Sequence, residues 1–200
     1  IFFEEIRRWI PQAKFTEIIR DPRDVLASKK KDKESVWSST KYAPERRNFK
    51  DLEKAFDPVW DSLSWKSEIV AGMKIKADHP DLIFSVRYED LVKDPEIFSR
   101  KLCEFLNIEF FEDQLAVPKR NSSLWENKPS GIGTQSVEKW KRILNLEEAA
   151  VCQYITKSQL MKLNYKDSDN HFSPIKVLSI FFISIGNFFQ RLLNRLRMGG

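Results

Sequence analysis

The sequence predicts an α/β fold, with a parallel sheet flanked by helices, and three observations carry that prediction. Lys14 to Arg20 alternates apolar and polar side chains like a half-buried strand, then runs straight into helix-start residues at Asp21-Pro22. Leu82 to Tyr88 is a short apolar run of the kind a buried strand shows. Between and after these runs lie longer stretches of helical periodicity. Strands separated by helices join most simply as parallel neighbours through crossovers.

Taken in order, Phe2, Phe3, Ile6, Trp9 and Ile10 recur at helical spacing, and Pro11 ends that short helix. In the strand that follows, Phe15 and Ile19 share one side. Asp21 suits an N-cap, Pro22 the first helical position and Asp24 the capping-box position, so residues 14–30 read as a strand turning directly into a helix. Residues 31–50 are charged and Ser-rich, with Lys31, Lys33, Ser38, Ser39, Arg46 and Arg47, and are expected to form an exposed loop or flap. Phe56, Val59, Trp60, Leu63, Val70 and Met73 mark a longer helix, ended by the His79-Pro80-Asp81 turn. Phe98, Leu102, Phe105 and Leu106 make 95–106 an amphipathic helix. Residues 118–136, including Pro129-Ser130-Gly131-Ile132-Gly133, read as loop, and helices around 137–143 and 147–162 follow. No internal repeat is present.

Composition narrows the function classes. With 200 residues, 42% apolar and 32% charged, the chain is neither a disordered tail nor a multi-span membrane protein. Its 34 basic against 29 acidic residues leave a net charge of +5, which favours anionic partners: phosphates, sulfates, nucleic acid or an acidic membrane face. Cys103 and Cys152 lie far apart and outside any CxxC spacing, which excludes a disulfide scaffold and a cysteine-rich zinc site. Two histidines, His79 and His171, are too few for an all-histidine metal site, and both are expected at the surface; no metal is expected. The chain opens on Ile1 without a basic–apolar–small leader and reads as a fragment lacking its N-terminal part.

Ligands of open α/β sheets bind beyond the carboxyl ends of the strands. Arg20 sits at such an end, just before a helix N-terminus, where free N–H groups attract anions and a guanidinium adds bidentate donors. Ser28 lies two helical turns past Asp21 and returns to the same face, so Arg20 and Ser28 could hold one anion. A strand-end arginine paired with Asp24, beside a solvated serine, satisfies the same spacing.

The segment Arg20-Asp21-Pro22-Arg23-Asp24-Val25-Leu26-Ala27-Ser28 resembles the 3'-phosphate-binding segment of sulfotransferases that use 3'-phosphoadenylyl sulfate (PAPS). In that family an arginine at a strand end and a serine eight residues later bind the 3'-phosphate. Val86-Arg87-Tyr88-Glu89-Asp90-Leu91-Val92-Lys93-Asp94-Pro95 is similar to the family's strand-to-helix stretch, whose tyrosine sits against the adenine; Tyr88 is the candidate here. Leu102-Cys103-Glu104-Phe105-Leu106-Asn107-Ile108 resembles the helix end that follows. Gly133 to Lys141 is similar to the late loop that folds over the nucleotide, and from it Ser136 and Lys139 are carried over as cofactor-binding candidates. That loop has Glu138-Lys139 where many members have glycine followed by a charged residue. The four segments stand in family order across about residues 10–165.

The resemblance implies a P-loop nucleotide-hydrolase-like sulfotransferase fold whose first strand and 5'-phosphosulfate loop would precede residue 1. It implies sulfuryl transfer from PAPS to an acceptor hydroxyl or amine, of a carbohydrate or other small molecule, without a metal and without a nucleic-acid partner. No residue of the chain qualifies as a catalytic base, so the fragment alone is expected to be inactive. A nucleotide kinase-like P-loop enzyme is the alternative within enzymes. A membrane-peripheral binding module with a vestigial nucleotide site is the alternative outside them.

Among the tryptophans, Trp37, Trp60, Trp65, Trp125 and Trp140, core packing is the default; Trp125 and Trp140 are placed by the sequence beside loops, where lining a cleft is equally open. Residues 1–166 are read as a partial sulfotransferase domain and 167–200 as a C-terminal tail. Val177 to Gln190 carries no charge, and Leu178, Phe181, Phe182, Ile185, Phe189, Leu192 and Leu196 make one helical face, followed by Arg191, Arg195 and Arg197. That run is shorter than the roughly 20 residues of a bilayer span. A basic amphipathic helix over 174–197 in a membrane interface fits it, as does a helix packing on the domain or on another chain. The expected location is cytoplasmic or membrane-associated.

Overall fold

Strand β1 (Phe15–Ile19) pairs in parallel with β2 (Ile83–Arg87), from Phe15 opposite Ile83 to Ile19 opposite Arg87. A parallel pair requires a long crossover, and residues 20–82 separate the two strands. The computed structural model describes residues 2–38, 56–116, 133–168 and 171–198. Among these the fold is the expected α/β type, mostly helical, with the two-stranded parallel sheet flanked by helices. The chain divides into two compact units, one of residues 1–21 and 67–137, the other of residues 22–66 and 138–200.

The first unit holds the sheet. Alternation along β1 turns Phe15, Glu17 and Ile19 to one side, with Ile19 buried and Thr16 and Ile18 exposed. On β2, Ile83 and Val86 are buried. Helix α1 (Phe3–Trp9) buries only Phe3, whose ring meets Phe15 at 4.8 Å and His79 at 5.4 Å. His79 is therefore half-buried rather than a surface histidine, and its Nε2 accepts from Arg7 Nη1 at 3.1 Å. Helix α4 (Tyr88–Lys93) starts directly at the end of β2, and α5 (Pro95–Leu106) follows with Pro95 in its first turn. Asn107 closes α5 in the left-handed conformation at φ 58°, a residue type that tolerates it.

The second unit is helical. Helix α2 (Pro22–Ser38) runs on well past the expected end at 30, so the loop or flap read over 31–50 is corrected for 31–38. Lysine and glutamate are good helix formers, and charge density alone does not make a loop. The rest of that stretch, 39–50, lies outside the described residues, as does the loop segment 118–132 with Trp125. Helix α3 (Pro58–Asp78) begins with Asp57, whose Oδ1 accepts the N–H groups of Val59 and Trp60, both at 3.1 Å. That is an N-cap followed by proline at the first helical position. Helix α6 (Trp140–Ile143) is shorter than the expected 137–143, because Glu138 takes a positive φ and breaks it.

Helix α7 (Leu146–Lys162) opens on a reciprocal capping box. Asn145 Oδ1 accepts Glu148 N–H at 2.8 Å, and Glu148 Oε2 accepts Asn145 N–H at 2.9 Å. Leu26 and Ala27 of α2 pack against Trp140, Leu144, Ala149 and Cys152 to form the core of this unit. The tail forms helix α8 (Pro174–Met198), which contacts α7, the packing on the domain that the sequence allowed.

Candidate functional site

In the first unit the parallel register sets the two carboxyl strand ends level. Ile19 faces Arg87, so the next residues along the two strands, Arg20 and Tyr88, become neighbours at the same edge. The Arg20 guanidinium lies over the Tyr88 ring, 4.8 Å from its centroid. Such a cation–π contact holds a guanidinium plane in place, at about 0.5–2 kcal/mol. Arg20 Nη2 also donates to the carbonyl oxygen of Ser136 at 2.7 Å. Ser136 ends a 3₁₀ turn (Thr134–Ser136) that packs on α4. Beside it, Asp21 N–H donates to Glu89 Oε1 at 2.9 Å, tying the end of β1 to the helix after β2. Three candidates from three separate sequence segments, Arg20, Tyr88 and Ser136, thus meet at the carboxyl edge of the sheet.

Ser28 and Lys139 belong to the second unit. Ser28 is exposed on α2, one turn beyond Asp24 and on its face. Asp24 is 1% exposed, and its carboxylate accepts two backbone N–H groups, from Glu138 to Oδ2 at 2.8 Å and from Trp140 to Oδ1 at 2.9 Å. Lys139, half-buried, sits between those two anchored amides. Glu138 has φ 58°, in the left-handed region that favours glycine. The turn therefore adopts a glycine-type backbone without a glycine, held by the Asp24 carboxylate on the Glu138 N–H.

Trp140 does not line a cleft. It is 4% exposed, sits in the core of its unit and carries the Arg23 guanidinium 4.4 Å from its ring centroid. Arg23 Nη1 in turn donates to Gln153 Oε1 at 3.1 Å. Trp65 is buried and Trp60 half-exposed, while the side chain of Trp37 lies outside the described residues. His171 is exposed. Sequence reasoning missed Glu89, and read Asp24 as a capping-box residue or as a partner of Arg20, not as the acceptor for a distant turn. Both accept from partners 68 to 116 residues away, and local spacing carries no signal of such bonds. Among the described residues, no group of three or more metal-ligating side chains occurs.

Among solved structures the chain is similar to the sulfotransferase domain from the curacin biosynthetic pathway, at 21% identity and a TM-score of 0.46. That likeness covers 78% of this chain and 55% of the other, so the chain spans little more than half of that structure's length. No curated protein matches it. Residues 2–113, more than half of the chain, match the Sulfotransferase family, the stretch that contains both strands, Arg20, Ser28 and Tyr88. The chain belongs to the sulfotransferase family.

Proposed function

We propose that the chain binds the adenosine 3',5'-bisphosphate moiety of PAPS and serves sulfuryl transfer to an acceptor hydroxyl or amine, of a carbohydrate or other small molecule. The observation that carries this reading is the meeting of Arg20, Tyr88 and the 134–136 turn at the carboxyl edge of the strands. The donor set suits the ligand. A guanidinium offers five N–H donors in a planar fork that matches a phosphate, and an aromatic ring beside it suits a purine. In this reading Arg20 grips the 3'-phosphate and Tyr88 lies against the adenine. Ser28, Ser136 and Lys139 enter from the sequence resemblance, Ser28 through its eight-residue separation from Arg20.

PAPS supplies an activated sulfuryl group. The acceptor oxygen or nitrogen forms a bond to sulfur, the bond from sulfur to the 5'-phosphate oxygen breaks, and the acceptor loses a proton. The products are the sulfated acceptor and adenosine 3',5'-bisphosphate. Such a transfer depends on in-line positioning and on charge stabilisation at the leaving oxygen. Arg20 and Tyr88 hold the nucleotide at a distance from that oxygen, so their loss weakens PAPS binding more than it disturbs the bond-making step. Equilibrium dialysis of the protein with labelled PAPS tests the reading. Saturable binding that unlabelled adenosine 3',5'-bisphosphate displaces and ATP does not is expected. Binding of ATP with PAPS left free contradicts it.

A further inference from the structure

Helix α8 has two apolar sides, and its own unit uses only one of them. On the inner side Ser184 is buried and its hydroxyl donates to Asp57 Oδ1 at 2.6 Å, while Phe188 meets Trp60 with ring centroids 6.2 Å apart. Lys176 lies 3.8 Å from Glu147 near the start of the helix. On the outer side Ile175, Leu178, Phe182, Ile185, Phe189 and Leu192 form a stripe, each between 44% and 80% exposed. Their spacing of three and four residues keeps them in one arc about 100° wide. Among the described residues, nothing lies within 4 Å of the position a Cβ would take on Gly186.

The charge of the helix says what this stripe fits. Pro174–Met198 contains Lys176, Arg191, Arg195 and Arg197 and no acidic residue. A second copy, in either orientation, would set basic residues beside basic residues with no carboxylate on the helix to answer them. An anionic lipid surface answers both features, taking the apolar stripe among its acyl chains and the cations at its headgroups. Among the described residues no helix is long and apolar enough to cross a membrane, so this one would lie in the interface plane. We propose that the outer stripe of α8 docks the protein on an anionic lipid surface.

Co-sedimentation with phosphatidylcholine vesicles, with and without phosphatidylserine, tests this. Binding to the serine-containing vesicles is expected, roughly tenfold or more tighter than to phosphatidylcholine alone, and weakening as salt screens the headgroups over about 8–10 Å. Phe182→Ser with Phe189→Ser should abolish it without lowering the melting temperature, because both rings are exposed. Replacing Arg191, Arg195 and Arg197 by Gln should remove the preference for phosphatidylserine, and this variant keeps the test intact if the serine variant melts early. Failure to bind either vesicle at low salt overturns the proposal. So does sedimentation equilibrium showing a dimer that the serine variant dissociates. Because neither readout involves a nucleotide, this proposal can fail while the nucleotide reading stands.

Discussion

Arg20 is the residue on which three distant segments converge, through the Tyr88 ring and the Ser136 carbonyl. Its position at a strand end was legible from the alternation of Lys14 to Arg20 and the Asp21-Pro22 break. Its contacts with Tyr88 and Ser136 were not, because those residues lie 68 and 116 residues away and strand register and turn packing bring them in. Asp24 makes the same point more sharply, since a capping-box position turned out to hold a distant turn. Removing its carboxylate leaves two backbone N–H groups without their acceptor, so Asp24→Ala should destabilise the protein by about 3 kcal/mol in chemical denaturation. A loss below about 1 kcal/mol would mean that water replaces the carboxylate. Glu138 is strained at φ 58°, and its side chain pairs at the surface with Lys141. A left-handed non-glycine costs about 1–2 kcal/mol, partly offset by the entropy glycine loses on folding. Glu138→Gly should therefore raise the melting temperature slightly, and a fall would show that the side chain contributes more than the backbone strain costs. Replacing Tyr88 by Leu should weaken PAPS binding several-fold in equilibrium dialysis, an effect on the order of 1 kcal/mol.

At the scale of elements, periodicity was a good guide wherever a helix buries one face in its own unit. The amphipathic 95–106 stretch and the 147–162 helix appear within a residue of their expected bounds. Punctuation by charge was a poor guide, as α2 shows by running through Lys31, Asp32, Lys33 and Glu34. The expected helix at 137–143 lost its first turn to a backbone conformation that no side-chain pattern encodes. Asp57 joins two elements, capping α3 with one carboxylate oxygen and accepting the Ser184 hydroxyl of α8 on that same oxygen. Ser184→Ala should cost about 1 kcal/mol, one neutral donor lost from a carboxylate that keeps its backbone partners. Asp57→Ala removes the cap as well and should cost about 2–3 kcal/mol by thermal denaturation. Equal losses for the two variants would mean that the cap contributes nothing.

At the scale of the molecule, the family match places the chain in the sulfotransferase family, and the net charge of +5 suits the anionic co-substrate proposed for it. The fold class was readable because two apolar runs separated by helices leave few topologies open. The meeting of Arg20 with Tyr88 was readable only in outline, since it depends on a register that a one-residue slip would undo. That meeting underlies the proposed role of Arg20 as the 3'-phosphate anchor, which calorimetry tests most directly. The protein and its Arg20→Ala variant are titrated with adenosine 3',5'-bisphosphate and with AMP, which lacks the 3'-phosphate. The bisphosphate should bind the unaltered protein more tightly than AMP, and Arg20→Ala should weaken it by about 2–4 kcal/mol while leaving AMP nearly unchanged. Equal affinity for the two nucleotides, or a variant that weakens both alike, would contradict the assignment of Arg20 to the 3'-phosphate.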